Sequence, residues 1–187
     1  MIWNNKPDGF GLVAILFHWL GALLALGLFG VGVWMVELDY YSGWYHLAPS
    51  LHKSVGVLLF LLTMLRMGWC LANVRPVILA TSHRERQAAK WVHSLLYGFI
   101  VLLSISGYLL ATADGNSLDV FSLLSLPAVL AQREVQEELA GEAHEILAYL
   151  FVGLVLLHFL AAMKHHFINR DRTLMRMIFP RSTRTGE

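Results

Sequence analysis

Apolar residues arrive along this chain in blocks, with neither the alternation of a surface strand nor the one-sided stripe of a surface helix. Positions 11–36, 52–73, 91–112 and 142–164 are almost continuously apolar, and polar or charged stretches separate them. A bilayer core needs about 20 apolar residues per helical crossing, and a helix that is hydrophobic all round suits lipid better than water. Each block therefore predicts a membrane-spanning helix. Four crossings leave no length for a second folded unit, so the expected architecture is all-α: one four-helix membrane bundle, a single domain over 1–187.

The connections carry their own signals. The stretch SLDVFSLLSLPAVL, 117–130, is apolar but too short to span and is interrupted by Pro127. It is expected to lie along the interface or to cap the bundle. The following QREVQEELAGEAHE reads as the solvated start of the fourth helix. The first block is too long for the apolar core of a secretory signal and lacks a small-residue cleavage site, so it is expected to remain as a span.

Composition agrees: 57% of residues are hydrophobic, 14% are charged, and mean hydropathy is +0.57. An ordinary soluble domain carries about 25% charged residues. The cations are unevenly placed. Lys6, Arg75, Arg84, Arg86, Lys90, Lys164, Arg170, Arg172, Arg176, Arg181 and Arg184 fall on one predicted side, against Lys53 and Arg133 on the other. Positive residues collect in cytoplasmic loops, which predicts a multi-pass membrane protein with both termini cytoplasmic. The outer loops, 37–51 and 113–141, are acidic. Cys70 is the single cysteine, so neither an internal disulfide nor a Cys-x-x-Cys-His haem attachment is possible.

The candidate chemistry lies in the histidines. His144 and His158 are fourteen residues apart on the fourth block, nearly four whole turns and roughly 21 Å, so both sit on one helix face. His18 lies about as deep from the cytoplasmic side as His158, and His52 matches His144 from the outer side. Two pairs at two depths suit haem iron, which takes an imidazole above and below its ring from facing helices of a bundle. The structural alternative is polar residues bonding helix to helix. A zinc site fits less well, because no acidic or cysteine ligand accompanies the pairs.

Arg66, fourteen residues beyond His52, shares its face at the inner level. It is expected to pair with a haem propionate, to snorkel to the headgroups, or both. His93 starts the third block and could contact a quinone headgroup, carry a proton, bond a propionate or simply sit at the interface. His46, with Trp44 and Tyr45, could roof the outer site. Lys53 adjoins His52 and could help form a small basic mouth. His165 and His166 mark a basic end, and His83 falls in a polar inner loop. Glycines within the spans permit close helix approach, and most tryptophans fit an aromatic belt, with Trp19 a possible haem neighbour.

Taken together, FHWLGALLAL, SLHKSVGVLLFLLTMLR, VHSLLYGFIVLLSISGYLL, HEILAYLFVGLVLLHFLAAMKHHF and the closing NRDRTLMRM resemble the bacterial cytochrome b561 family over nearly the whole chain. The resemblance implies two non-covalent b haems, one ligated by His18 and His158 and the other by His52 and His144. It also implies electron transfer linked to ubiquinone in the inner membrane, with superoxide oxidation as one activity known in the family. The expected partners are therefore membrane lipid, a quinone, and either superoxide or a periplasmic redox protein docking on the acidic loops. Nucleic acid is not among them.

Overall fold

A computed structural model of the chain describes residues 2–79, 82–130 and 133–180. Four long helices dominate it: α1 Leu12–Met35, α2 Leu47–Ala72, α3 His83–Ala111 and α4 Arg133–Phe167, followed by the single turn α5 Met175–Ile178. All four are long and apolar enough to cross a membrane, as the four blocks predict. The tail cations Arg181 and Arg184 lie outside the described residues.

The helices overrun the predicted spans at their polar ends, because polarity ends a span but not the backbone hydrogen bonding of a helix. So α2 begins at Leu47, and His52 stands in its second turn rather than at its start. α3 begins at His83, which places that residue in the helix and not in a loop, and sets His93 three turns inside. α4 begins at Arg133, so its acidic first turns are helical, as the sequence suggests.

Large apolar side chains face outward: Leu23, Leu65 and Leu157 are 68%, 63% and 63% exposed. Lipid, not protein, is the natural neighbour of such a surface. The buried side chains are mostly small, among them Ala14, Ala25, Ala48, Ser54, Ser106, Thr112 and Ala140. Small residues let helix backbones approach closely where lipid-facing burial gives no driving force.

The chain forms two compact units, and each long helix contributes to both. The first unit, Met1–Ala22, Leu62–Leu96 and Leu154–Glu187, includes the N-terminal segment and α5. Its N-terminal segment folds back on itself: buried Asn5 accepts a hydrogen bond from the Gly11 amide, and the Leu12 amide reaches the Ile2 carbonyl. The Val77 amide donates to the Pro7 carbonyl. Arg176 donates to the Val77 carbonyl and lies over the Phe10 ring, and Trp19 Nε1 donates to the Met177 carbonyl at 2.6 Å. The polar ends of this unit are thus laced together by main-chain acceptors.

The second unit, residues 23–61 and 97–153, contains the two remaining long connections. Here the apolar 117–130 stretch is a two-stranded antiparallel hairpin, β1 Leu118–Val120 paired with β2 Leu124–Leu126. The Leu123 amide closes a turn on the Val120 carbonyl, with Phe121 and Ser122 both at positive φ, the mirror-image turn that matches strand twist. Such turns favour Asn-Gly, so a Phe-Ser tip gives no sequence signal. Tertiary contacts hold it instead. The Phe121 amide donates to Oγ of buried Ser54 on α2, and the Tyr108 hydroxyl bridges the Pro127 carbonyl and the Val129 amide. The stretch is thus a sheet tied to α2 and α3 of its own unit.

Candidate haem sites

In the first unit, α1, α2, α3 and α4 bring together His18, Arg66, His93 and His158. The His18 and His158 ring centroids are 6.3 Å apart with planes at 64°. His93 supplies a third imidazole, exposed and 5.3 Å from His158. Sequence depth alone did not place it there, since three extra helical turns had to be known first. Trp19 packs edge-on against His18 at 5.3 Å. An Arg66 Nη2–H donates to His18 Nδ1 at 3.1 Å. Guanidinium has no acceptor atom, so in this arrangement Nδ1 holds a lone pair and Nε2 the proton.

In the second unit, His52 on α2 faces His144 on α4 with centroids 6.2 Å apart and planes at 76°. His144 Nδ1 lies 3.1 Å from both the Leu103 carbonyl and the Ser106 hydroxyl, and that hydroxyl also donates to Leu103. A carbonyl can only accept, so Nδ1 carries the proton and Nε2 is left with its lone pair. This outer hydrogen bond is the usual way a metal-binding imidazole is oriented. Glycines make the room. A Cβ at Gly107 would stand 3.1 Å from His144 Cε1, and one at Gly32 would stand 3.3 Å from His52 Cε1. Both rings therefore turn their Nδ1–Cε1 edges toward a neighbouring helix. His52 Nδ1 is buried, with the backbone of Leu28 on α1 beside it.

These distances test the haem reading. A metal–imidazole bond is about 2.0–2.1 Å, and the ring centroid lies roughly 1.2 Å behind the nitrogen, so two imidazoles on opposite sides of one ion have centroids about 6.4–6.6 Å apart. His18–His158 and His52–His144 match within a few tenths of an ångström. His93–His158 is about an ångström too short to straddle an ion, which sets His93 beside the pair rather than in it. Among the described residues no group of three or more His, Cys, Asp or Glu could hold a bare ion, whereas two donors suffice when a macrocycle supplies the rest of the coordination. The residues fit haem.

The other sequence candidates lie nearer the polar boundaries. Lys53 is exposed and within electrostatic reach of Asp114. The Asp114 carboxyl is held below its ordinary range chiefly by hydrogen bonds from Asn116, with Lys53 adding to the effect. His46 belongs to an exposed aromatic group with Tyr40 and Tyr45. His165 pairs with Asp171, and Lys164 with Glu85.

The family model described as prokaryotic cytochrome b561 matches residues 9–180. The chain is 42% identical over its whole length, and over the whole of its relative, to cytochrome b561 homolog 2 of Escherichia coli (strain K12). It is 28% identical to the probable superoxide oxidase CybB of Yersinia pestis over 86% of this chain and 90% of that one. Cytochrome b561 homolog 1 of Escherichia coli (strain K12) is 25% identical over 90% of this chain and 96% of its own. Four apolar helices, imidazole pairs at axial-ligand spacing and this match across nearly the whole length agree: the chain belongs to the prokaryotic cytochrome b561 family of haem-binding, electron-transferring membrane proteins.

Proposed function

We propose that the protein binds two b haems, one between His18 and His158 and one between His52 and His144, and passes electrons between a periplasmic donor and ubiquinone in the bacterial inner membrane. The observation that carries this reading is the recurrence, once in each unit, of facing imidazoles at 6.2–6.3 Å. The charge distribution supports cytoplasmic termini. Haem iron supplies reversible one-electron exchange; everything else falls to the chain. His144 is already poised, with Nδ1–H on the Leu103 carbonyl. His18 is not: to ligate through Nε2 it must carry its proton on Nδ1, and Arg66 must let go. A haem propionate is the natural new partner for that guanidinium, so Arg66 would exchange an imidazole for a carboxylate as the site fills. His93 stands beside His158, where it can bond a propionate or a quinone oxygen.

The relative named as a probable superoxide oxidase makes superoxide one reading of the donor. The acidic outer loops favour a second: a basic periplasmic redox protein that docks there, this chain serving as its electron-transfer subunit. Superoxide is an anion, and Asp114 within reach of Lys53 weakens a basic mouth beside His52. The deciding experiment is a pyridine haemochrome assay per chain on the purified protein with His158→Ala and His144→Ala. Two haems in the parent and the loss of a different one in each variant are expected; one haem or none in the parent overturns the reading. Superoxide consumption by the isolated protein then separates the two donors.

A further inference from the structure

Trp19 and His18 are consecutive on α1, and side chains one position apart on a helix do not face each other. Their rings nevertheless meet edge-on, with centroids 5.3 Å apart and planes at 75°. Burial does not hold the indole in that attitude, since Trp19 is 42% exposed. A directional tie does: Trp19 Nε1–H donates to the Met177 carbonyl at 2.6 Å, across 158 positions of sequence.

The acceptor belongs to α5, a single turn of four residues, too short to be stable alone. It is moored at two places within the first unit. Before it, the Asp171 amide donates to the His165 carbonyl at the end of α4, and the two side chains pair at 2.5 Å. Within it, Arg176 Nη1 donates to the Val77 carbonyl at 2.9 Å, and the guanidinium stands over the Phe10 ring. Val77 is fixed in turn by its amide on the Pro7 carbonyl at 2.8 Å. Three separate stretches of chain thus converge on one helical turn, and a carbonyl of that turn holds one indole.

The indole touches an axial-ligand candidate. A metal-binding imidazole is normally oriented by an acceptor at its outer nitrogen, as His144 is by the Leu103 carbonyl. His18 Nδ1 meets a guanidinium instead, a donor that must withdraw once Nδ1 carries the proton. The ring contact with Trp19 needs no change of protonation and survives that exchange.

We propose that Trp19 is a positioning residue for the first-unit haem: α5 holds the indole, and the indole sets the rotation of the His18 ring against that of His158. The inference rests on the two-haem reading above. It gives the turn after the fourth span a role at a redox centre, exerted through two successive contacts.

The test is the ferric electron-paramagnetic spectrum of the purified two-haem protein, because the low-spin signal of a haem with two imidazole ligands follows the angle between their planes. The first-unit signal is the one lost in His158→Ala. Trp19→Phe, which keeps an aromatic ring and removes the N–H, is expected to retain both haems, shift that signal and leave the second-unit signal in place. Arg176→Ala, which removes the moorings to Val77 and Phe10, should shift it in the same direction and by no more. The double variant should match Trp19→Phe alone, because two changes along one line of contacts do not add. An unmoved first-unit signal in Trp19→Phe overturns the proposal. So does a double variant whose shift is the sum of the two, since loss of the indole would then act independently of α5. Should Trp19→Phe fail to fold, Arg176→Ala decides by itself, and an unmoved signal there overturns the proposal. Fewer than two haems per parent chain by pyridine haemochrome overturns the two-haem reading, and this inference with it.

Discussion

The two imidazole pairs have nearly the same separation and quite different surroundings. In the first unit the pair is attended by a cation and a third imidazole: Arg66 on His18, and His93 beside His158. In the second it is attended by neutral groups and bare backbone: the Leu103 carbonyl, the Ser106 hydroxyl, Gly32 and Gly107. Under the two-haem proposal, ligand chemistry is common to both pairs, and whatever distinguishes the two sites comes from the groups around the ligands. A cation stabilises the electron-rich state of a nearby redox centre, whereas a carbonyl accepting Nδ1–H makes the imidazole a stronger donor and stabilises the oxidised metal. The first-unit haem is expected to have the higher reduction potential.

The most severe way to break the comparison is to remove the space in one site only. Gly107→Val drives its branched side chain into a ring that a single Cβ would already press, so the second-unit haem should be lost and the first kept, as pyridine haemochrome would show. A milder Gly107→Ala should leave a partly loaded site.

Exchanging His93 for leucine tests which imidazole completes the first pair. Both haems should be retained, because only His18 stands at the axial spacing from His158. Loss of one haem would make His93 the ligand and His18 the neighbour.

Removing the charge should narrow the difference in potential. Arg66→Gln is expected to lower the first-unit potential by tens of millivolts, where about 59 mV corresponds to a tenfold change for one electron, and to leave the second unchanged in a redox titration. Ser106→Ala removes one of two partners of His144 Nδ1 and should move only the second-unit haem, by less, since Leu103 still accepts.

The smallest effect lies outside the spans. Burial opposes ionisation of Asp171, but hydrogen bonds from Thr173 and His165 outweigh it and hold the carboxyl below its usual range. Its folded-state pKa is thus depressed relative to the unfolded chain. The tie contributes fully above the ordinary carboxylate pKa of about 3.9 and is lost as pH falls through the lower folded value. Thermal unfolding followed against pH should show a shallow acid-side loss that Asp171→Asn abolishes.

What the sequence by itself determined follows from signals that survive without neighbours. Apolar blocks of membrane length announce four helices because lipid imposes the same demand on every residue of a span. Fourteen-residue spacing placed His144 and His158 on one face because helix periodicity is local, and matching depths picked out His18 and His52 as their partners. Helix ends were less legible, since hydropathy marks where lipid stops and not where hydrogen bonding does; His83, His93 and His52 were displaced for that reason. The 118–126 hairpin was invisible, its left-handed Phe121 being held by Ser54 and the segment that follows it by Tyr108, both remote in the chain. Only the tertiary structure decided that His93 stands next to His158, that Arg66 donates to His18, and that Gly32 and Gly107 abut imidazoles. Each of these depends on how one helix is rotated against another, and that rotation is fixed by packing between side chains distant in sequence.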